Sequence, residues 1–237
     1  MIERLLTEGA ARMGLEIAPE QAEQFAAYHR MLTEANRVMN LTRVPDNPAE
    51  AVARNYLDSL APAALGLLSG ARTLADVGAG AGFPGIPLAI LLPETRVTLI
   101  DSLGKRVRFL EGVVAELGLN AEAVHARAED AGRDPALRER FDAVTARAVA
   151  ALNTLAELSL PLARVGGVMI AYKGPGADRE AAEAERALSL LGGRLARTVP
   201  VTIPDRDWDH RLVWIEKVRS TPKAYPRRAG EPGRTPL

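Results

Sequence analysis

The chain has no cysteine, which removes disulfides, thiolate metal sites and every mechanism that needs a thiol nucleophile, 5-methylcytosine formation included. It also lacks an excess of charge. Thirty Lys plus Arg stand against thirty Asp plus Glu, so no global field draws a polyanion and any nucleic-acid contact must come from local patches. No secretory apolar segment opens the sequence, and no apolar run reaches the ~20 residues of a membrane span, so a cytoplasmic, soluble protein is expected. His29, His125 and His210, the only histidines, share no metal-ligand or triad spacing, and no metal is expected.

What the chain does have is apolar content: 47% over 237 residues, enough to bury one sizeable domain with a helical addition but not two full domains. Its most informative stretch runs from Leu74 to Ile90: a short apolar run, Asp76, the glycines Gly78, Gly80 and Gly82, then Phe83 and an amphipathic segment. Glycines where a strand hands over to a helix allow sharp turns and close approach of a ligand, and the free N–H groups of the helix start face whatever is bound. Two registers fit. Gly80-x-Gly82-x-x-Gly85 is a dinucleotide fingerprint, whereas Gly78-x-Gly80-x-Gly82 behind Asp76 is the loop of S-adenosylmethionine (SAM) methyltransferases. The next strand-like run, Arg96 to Asp101, ends in an acid close to the ~20 residues beyond the loop expected of a ribose-binding carboxylate. Both cofactors carry such a ribose, so the choice stays open at this point.

The order of elements narrows it. Helical spacing is seen over 2–13, 20–38 and from Pro48 through Leu60. Strands follow near 72–77, 96–101, 121–127, 141–147 and 166–172, alternating with helical patterns at 84–92, 104–117, 152–163 and 177–191. That alternation predicts a parallel sheet. Two further strands, Leu195 to Ile203 and Leu212 to Val218, are joined by a polar stretch too short for a parallel crossover and must pair antiparallel. A parallel sheet finished by an antiparallel hairpin is the architecture of class I SAM-dependent methyltransferases, a Rossmann-like α/β fold. A nicotinamide dehydrogenase would need more chain after Asp101. The expected organisation is an N-terminal helical cap over 1–70, a SAM-binding core over 71–220 and a basic, proline-rich tail over 221–237.

At this level of detail the chain resembles the bacterial RsmG (GidB) family, which methylates N7 of a guanosine in 16S ribosomal RNA. The resemblance rests on an ordered set: Asn40-Leu-Thr42, Leu57-Asp-Ser-Leu60, Asp76 to Pro87, Asp101 to Leu110, Arg127-Ala-Glu129, Ala146-Arg-Ala148, Tyr172-Lys-Gly-Pro175 and Tyr225 to Pro232. Asn55 departs from it, standing where the family usually has His. The resemblance implies that Gly78 and Phe83 border the methionine and ribose of SAM, Asp101 the ribose hydroxyls, and Ala128 with Glu129 the adenine. It also implies that Arg147 faces cofactor and target base, with Arg127 the other arginine of the site. Phe83 can equally plug the helix start against the sheet, and Lys105 and Arg106 can be a solvated helix face. Lys105, Arg106, Lys173, Arg227 and Arg228 are the candidate RNA contacts. The prolines at 222, 226, 232 and 236 hold the basic tail extended, either as a strap on the domain or as an arm toward a polyanion. The expected partner is 16S rRNA or the small ribosomal subunit, met by a monomer.

N7 carries no proton and needs no general base, and no Asn-Pro-Pro-Tyr segment of the kind used on exocyclic amines follows the fourth strand. Alternatives are a SAM methyltransferase of small molecules, a nicotinamide oxidoreductase, and an RNA-binding protein without activity.

Overall fold

The computed structural model describes residues 1–147 and 150–237, so Ala148 of the Ala146-Arg-Ala148 motif lies outside the described residues. Two helices open the chain, α1 (Ile2–Arg12) and α2 (Pro19–Met39). Pro19 sits where a missing N–H is harmless, the Gln21 side chain accepts from Ala18 N–H, and α2 ends on Asn40 in left-handed conformation. The helix expected from Pro48 is instead a composite: α3 (Pro48–Ala51), a π-helical turn (Val52–Leu57) and α4 (Asp58–Ala64). Single π turns inside helices recur at functional sites, and this one carries Asn55 and leads into Asp58, both buried polar residues.

The sheet comprises β1 (Thr73–Val77), β2 (Arg96–Asp101), β3 (Ala121–His125), β4 (Phe141–Arg147), β5 (Ala163–Lys173), β6 (Gly193–Val201) and β7 (His210–Lys217), in the order β3-β2-β1-β4-β5-β7-β6. The first five are parallel. The hairpin of β6 and β7 is antiparallel, as the short connection requires, with β7 inserted against β5. Between them run α5 (Gly85–Leu91), α6 (Gly104–Leu117), the short α7 (Ala128–Ala131), α8 (Leu152–Ser159), α9 (Ala177–Glu183) and α10 (Glu185–Leu191), and a last turn, α11, spans Glu231–Arg234. In α6 the apolar spacing does what it predicts: Val107, Leu110 and Val113 are buried, and Gly118 closes the helix in left-handed conformation. The single helix expected over 177–191 is broken at buried Ala184, without a Gly or Pro to signal the break. The strand expected over 121–127 stops at His125, because Arg127 already serves as the N-cap of α7.

One face of the sheet packs against the N-terminal helices. Tyr28, Tyr56 and Phe83 meet with ring centroids 5.4–6.0 Å apart, and Tyr28 donates to Ala81 C=O at 2.6 Å, so α2 is bolted to the glycine loop. The other face is covered by α8, α9 and α10. Strand order reverses between β1 and β4, and in such sheets the crevice at the carboxyl ends of these strands is where ligands bind. Among the described residues, no helix is long and apolar enough to cross a membrane.

Candidate functional site

A cavity of about 440 Å³ lies in that crevice, lined among others by Gly78, Asp101, Arg106, Arg127, Ala128, Glu129 and Arg147. The ends of β1, β2 and β4 and the start of α7 bring together five of the eight residues expected at the cofactor: Gly78, Asp101, Ala128, Glu129 and Arg147. Gly80, Gly82 and Phe83 are not on its wall. They act behind it. Gly82 has φ +108°, and a Cβ there would stand 2.8 Å from the Tyr28 hydroxyl and 2.6 Å from Ile86 Cγ1, so only glycine lets α2 approach the loop. Phe83 plugs the helix start in the aromatic cluster and carries the Arg147 guanidinium over its ring at 5.2 Å.

Asp101 is buried and already engaged. Its carboxylate accepts from Gly80 N–H at 2.8 Å and Leu103 N–H at 2.9 Å, and Arg106 stands 3.5 Å away. Asp76, at the end of β1, accepts from Gly85 N–H at 2.9 Å and from Thr145 Oγ at 3.2 Å. Burial pushes its carboxyl up to about 7 against these hydrogen bonds, which favour the charged form.

Arg147 projects from the end of β4 into a second cavity of about 510 Å³ while also lining the first. Its Nη1 donates to Asp58 Oδ2 at 3.0 Å, and His210 Nδ1 lies 2.9 Å from Asp58 Oδ1. Asp58, from α4, thus holds an arginine from β4 and a histidine from β7. Sequence reading assigned neither Asp58 nor His210 a role. An acid within the apolar Leu57–Leu60 face was a usable signal for the first; His210 gave none, being 152 positions from its partner. Arg43, Arg54, Lys173 and Arg211 add positive charge to this second cavity. Among the described residues, no group of three acids or histidines is arranged to hold a metal.

The remaining RNA candidates separate. Lys105 is exposed and reaches Met39 C=O at 3.2 Å. Lys173 is bound to Glu180 at 2.8 Å and to Ala150 C=O at 2.7 Å. Arg227 is held by Glu157, itself wholly buried, which accepts from its Nε at 2.9 Å and its backbone N–H at 2.7 Å. Arg228 is exposed, and its side chain has no partner among the described residues. The tail takes the strap conformation: Arg138 donates to Thr221 and Tyr225 carbonyls, and Thr154 Oγ to Pro232 C=O. Gly230 in this strap lines the first cavity and donates to Glu129 at 2.7 Å.

Residues 21–207 match the family described as rRNA small subunit methyltransferase G (GidB). The chain belongs to this family. It is 48% identical over 230 residues, 96% of each chain, to the ribosomal RNA small subunit methyltransferase G of Lactobacillus johnsonii. It is 45% identical over 237 residues, 98% of each, to that of Lactobacillus delbrueckii subsp. bulgaricus. Its fold is similar to an O-methyltransferase of Bacillus cereus in complex with SAH, with a TM-score of 0.59, 17% identity, and coverage of 92% of this chain and all of that one. The class I methyltransferase fold is thus the family's scaffold here, with a cavity at its switch point.

Proposed function

We propose that this chain transfers the methyl group of SAM to N7 of a guanosine in 16S ribosomal RNA, with Arg147 between donor and acceptor. The observation that carries this reading is the sharing of Arg147 by two cavities, one of cofactor character and one rich in cations. The residues present fit SAM: a cavity of about 440 Å³ is within the ~300–1,000 Å³ of small-ligand sites, and the buried carboxylate of Asp101 lines it. Arg106 Nε is buried without a hydrogen-bond partner, a donor available to a ligand. Asp101 would take the ribose hydroxyls, Gly78 the methionine end, and Ala128 and Glu129 the adenine. Bound there, SAM supplies a methyl on a sulfonium.

The chain's own contribution is geometric. Guanine N7 attacks with a lone pair and has no proton to lose, so no side chain is needed as general base. Holding the two reactants in line can supply roughly 7–11 kcal/mol of the barrier. Arg147, held by Asp58 and by the Phe83 ring, is fixed enough to do so. Lys105 and Arg228, both exposed, are the tail and helix cations best placed for phosphate. Whether naked rRNA or an assembled subunit is modified, the partner is reached through such local patches in a chain of zero net charge. The direct experiment is transfer of labelled methyl from SAM to 16S rRNA and to small subunits, with the modified nucleotide mapped. Label on an exocyclic amine or ribose would overturn the N7 assignment.

A further inference from the structure

The second cavity has a floor that the cofactor site does not use. Asp58, 7% exposed, binds His210 through one oxygen and Arg147 through the other. Because a carboxylate only accepts, the hydrogen in the 2.9 Å contact belongs to His210 Nδ1. The opposite ring nitrogen, Nε2, therefore carries a lone pair in the neutral imidazole, and it has no partner among the described residues. One carboxylate thus sets an acceptor and a cationic donor side by side. Asn55, 4% exposed and on the same wall, has an amide nitrogen without a hydrogen-bond partner. A buried donor left unpaired is costly, and a site that receives a polar ligand accounts for it. Trp208 lies against the His210 ring at 5.0 Å with the Arg54 guanidinium 4.9 Å over its own ring, so the histidine is held from its side as well as from behind.

We propose that this floor reads the target base as guanine: His210 Nε2 accepts from N1–H, Arg147 donates to O6, and N7 is thereby turned toward the cofactor cavity. The assignment rests on the proposed methylation of guanine N7 and adds to it the residues that choose the base. The chemistry is in the order of the purine edge. N1–H, O6 and N7 follow one another around guanine, as His210, Arg147 and the cofactor cavity do around Asp58. Adenine presents an acceptor at N1 and an amino group at C6, so both contacts would turn repulsive. Asp58 is then a positioning residue, fixing the histidine tautomer and the arginine at once, while Arg43 and Arg54 at the same cavity supply charge for the adjoining phosphate.

The test is methylation of 16S rRNA fragments carrying guanosine or 1-methylguanosine at the mapped position, by the full chain and by His210→Ala and His210→Gln. With guanosine, His210→Ala should lower kcat/KM by about tenfold to a hundredfold, with SAM affinity unchanged and the protein still folded, because Arg147 continues to pair Asp58. His210→Gln, whose amide oxygen can accept the same hydrogen, should recover part of the loss. Blocking N1 with methyl should penalise the unaltered protein strongly and His210→Ala much less, because the contact and the crowding are already gone. An equal N1-methyl penalty in both proteins, or unchanged kcat/KM in His210→Ala, would overturn the assignment. Failure of the unaltered protein to methylate guanosine RNA at all would instead sink the proposed function.

Discussion

Asp101 carries three interactions at once, and its substitution therefore has two consequences. Asp101→Ala removes the acceptor for Gly80 and Leu103 N–H groups and the counter-charge of Arg106. If it also takes the ribose, SAM affinity should fall by about tenfold to a hundredfold, the roughly 1.5–3 kcal/mol of a hydrogen bond to a charged group. Calorimetry on the folded variant reads this, and an unchanged affinity would assign Asp101 to the loop alone. Arg147→Ala should abolish single-turnover methyl transfer at saturating SAM and RNA, whereas a wild-type rate would make Arg147 a purely structural partner of Asp58. Asp76 gives a pH signature. Its folded pKa of about 7 lies above the ordinary 3.8, so between those values the folded state binds more protons than the unfolded. Stability from this residue is therefore full below about pH 4, falls as pH rises, and levels off above 7, by up to about 4 kcal/mol. Asp76→Asn should flatten that stretch of the stability profile in denaturant titrations, and a profile of unchanged slope would show that Asp76 is ionised in the fold.

At the scale of elements, the glycine loop is the part with least room for change. Gly82→Ala places a methyl against Tyr28 and Ile86 at a φ of +108°, and should cost on the order of 1–3 kcal/mol from strain and overpacking. Thermal melts should register it as a fall of several degrees, while a melting temperature within a degree of wild type would mean that the loop has room to spare. The βαβ order and the closing hairpin were legible because the central strands have short apolar runs and the longer helices apolar stripes, both local signals. The placement of Asp101 beside the loop was legible for the same reason, since it stands at a strand end at a fixed distance from the glycines. The π turn at Val52–Leu57 and the break at Ala184 were not, since neither carries a Gly or a breaking Pro. Nor was the junction of Asp58, Arg147 and His210, which three elements far apart in sequence make only after folding. Phe83 shows the intermediate case: its position beside the loop was readable, its direction into the aromatic cluster was not.

Over the whole molecule, the strap ties the C-terminal residues to the cavity at the switch point. Glu157 is wholly buried and depends on Arg227 for its charge partner. Arg227→Ala should therefore destabilise the protein by about 3–5 kcal/mol, the range for stranding one member of a buried pair. The melting temperature should drop by roughly 6–20 °C. A drop of less than about 2 °C would mean that Glu157 finds water or a proton instead. Because Gly230 and Glu129 meet on the cavity wall, deletion of residues 223–237 should weaken SAM binding as well as stability.

The placing of β7 between β5 and β6 also has a consequence for how the chain is made. Translation delivers strands in chain order, so β5 and then β6 leave the ribosome before the strand that separates them. At ~5–20 residues per second, the stretch from Val201 to Lys217 takes on the order of a second, and through it the apolar Val168–Tyr172 segment of β5 offers an open edge. The wrong partner already at hand is β6. That strand carries Arg194, Arg197 and Pro200, two cations and a residue without an N–H, the composition that discourages edge-to-edge pairing. That composition works against β6 taking the slot beside β5 before β7 is synthesised.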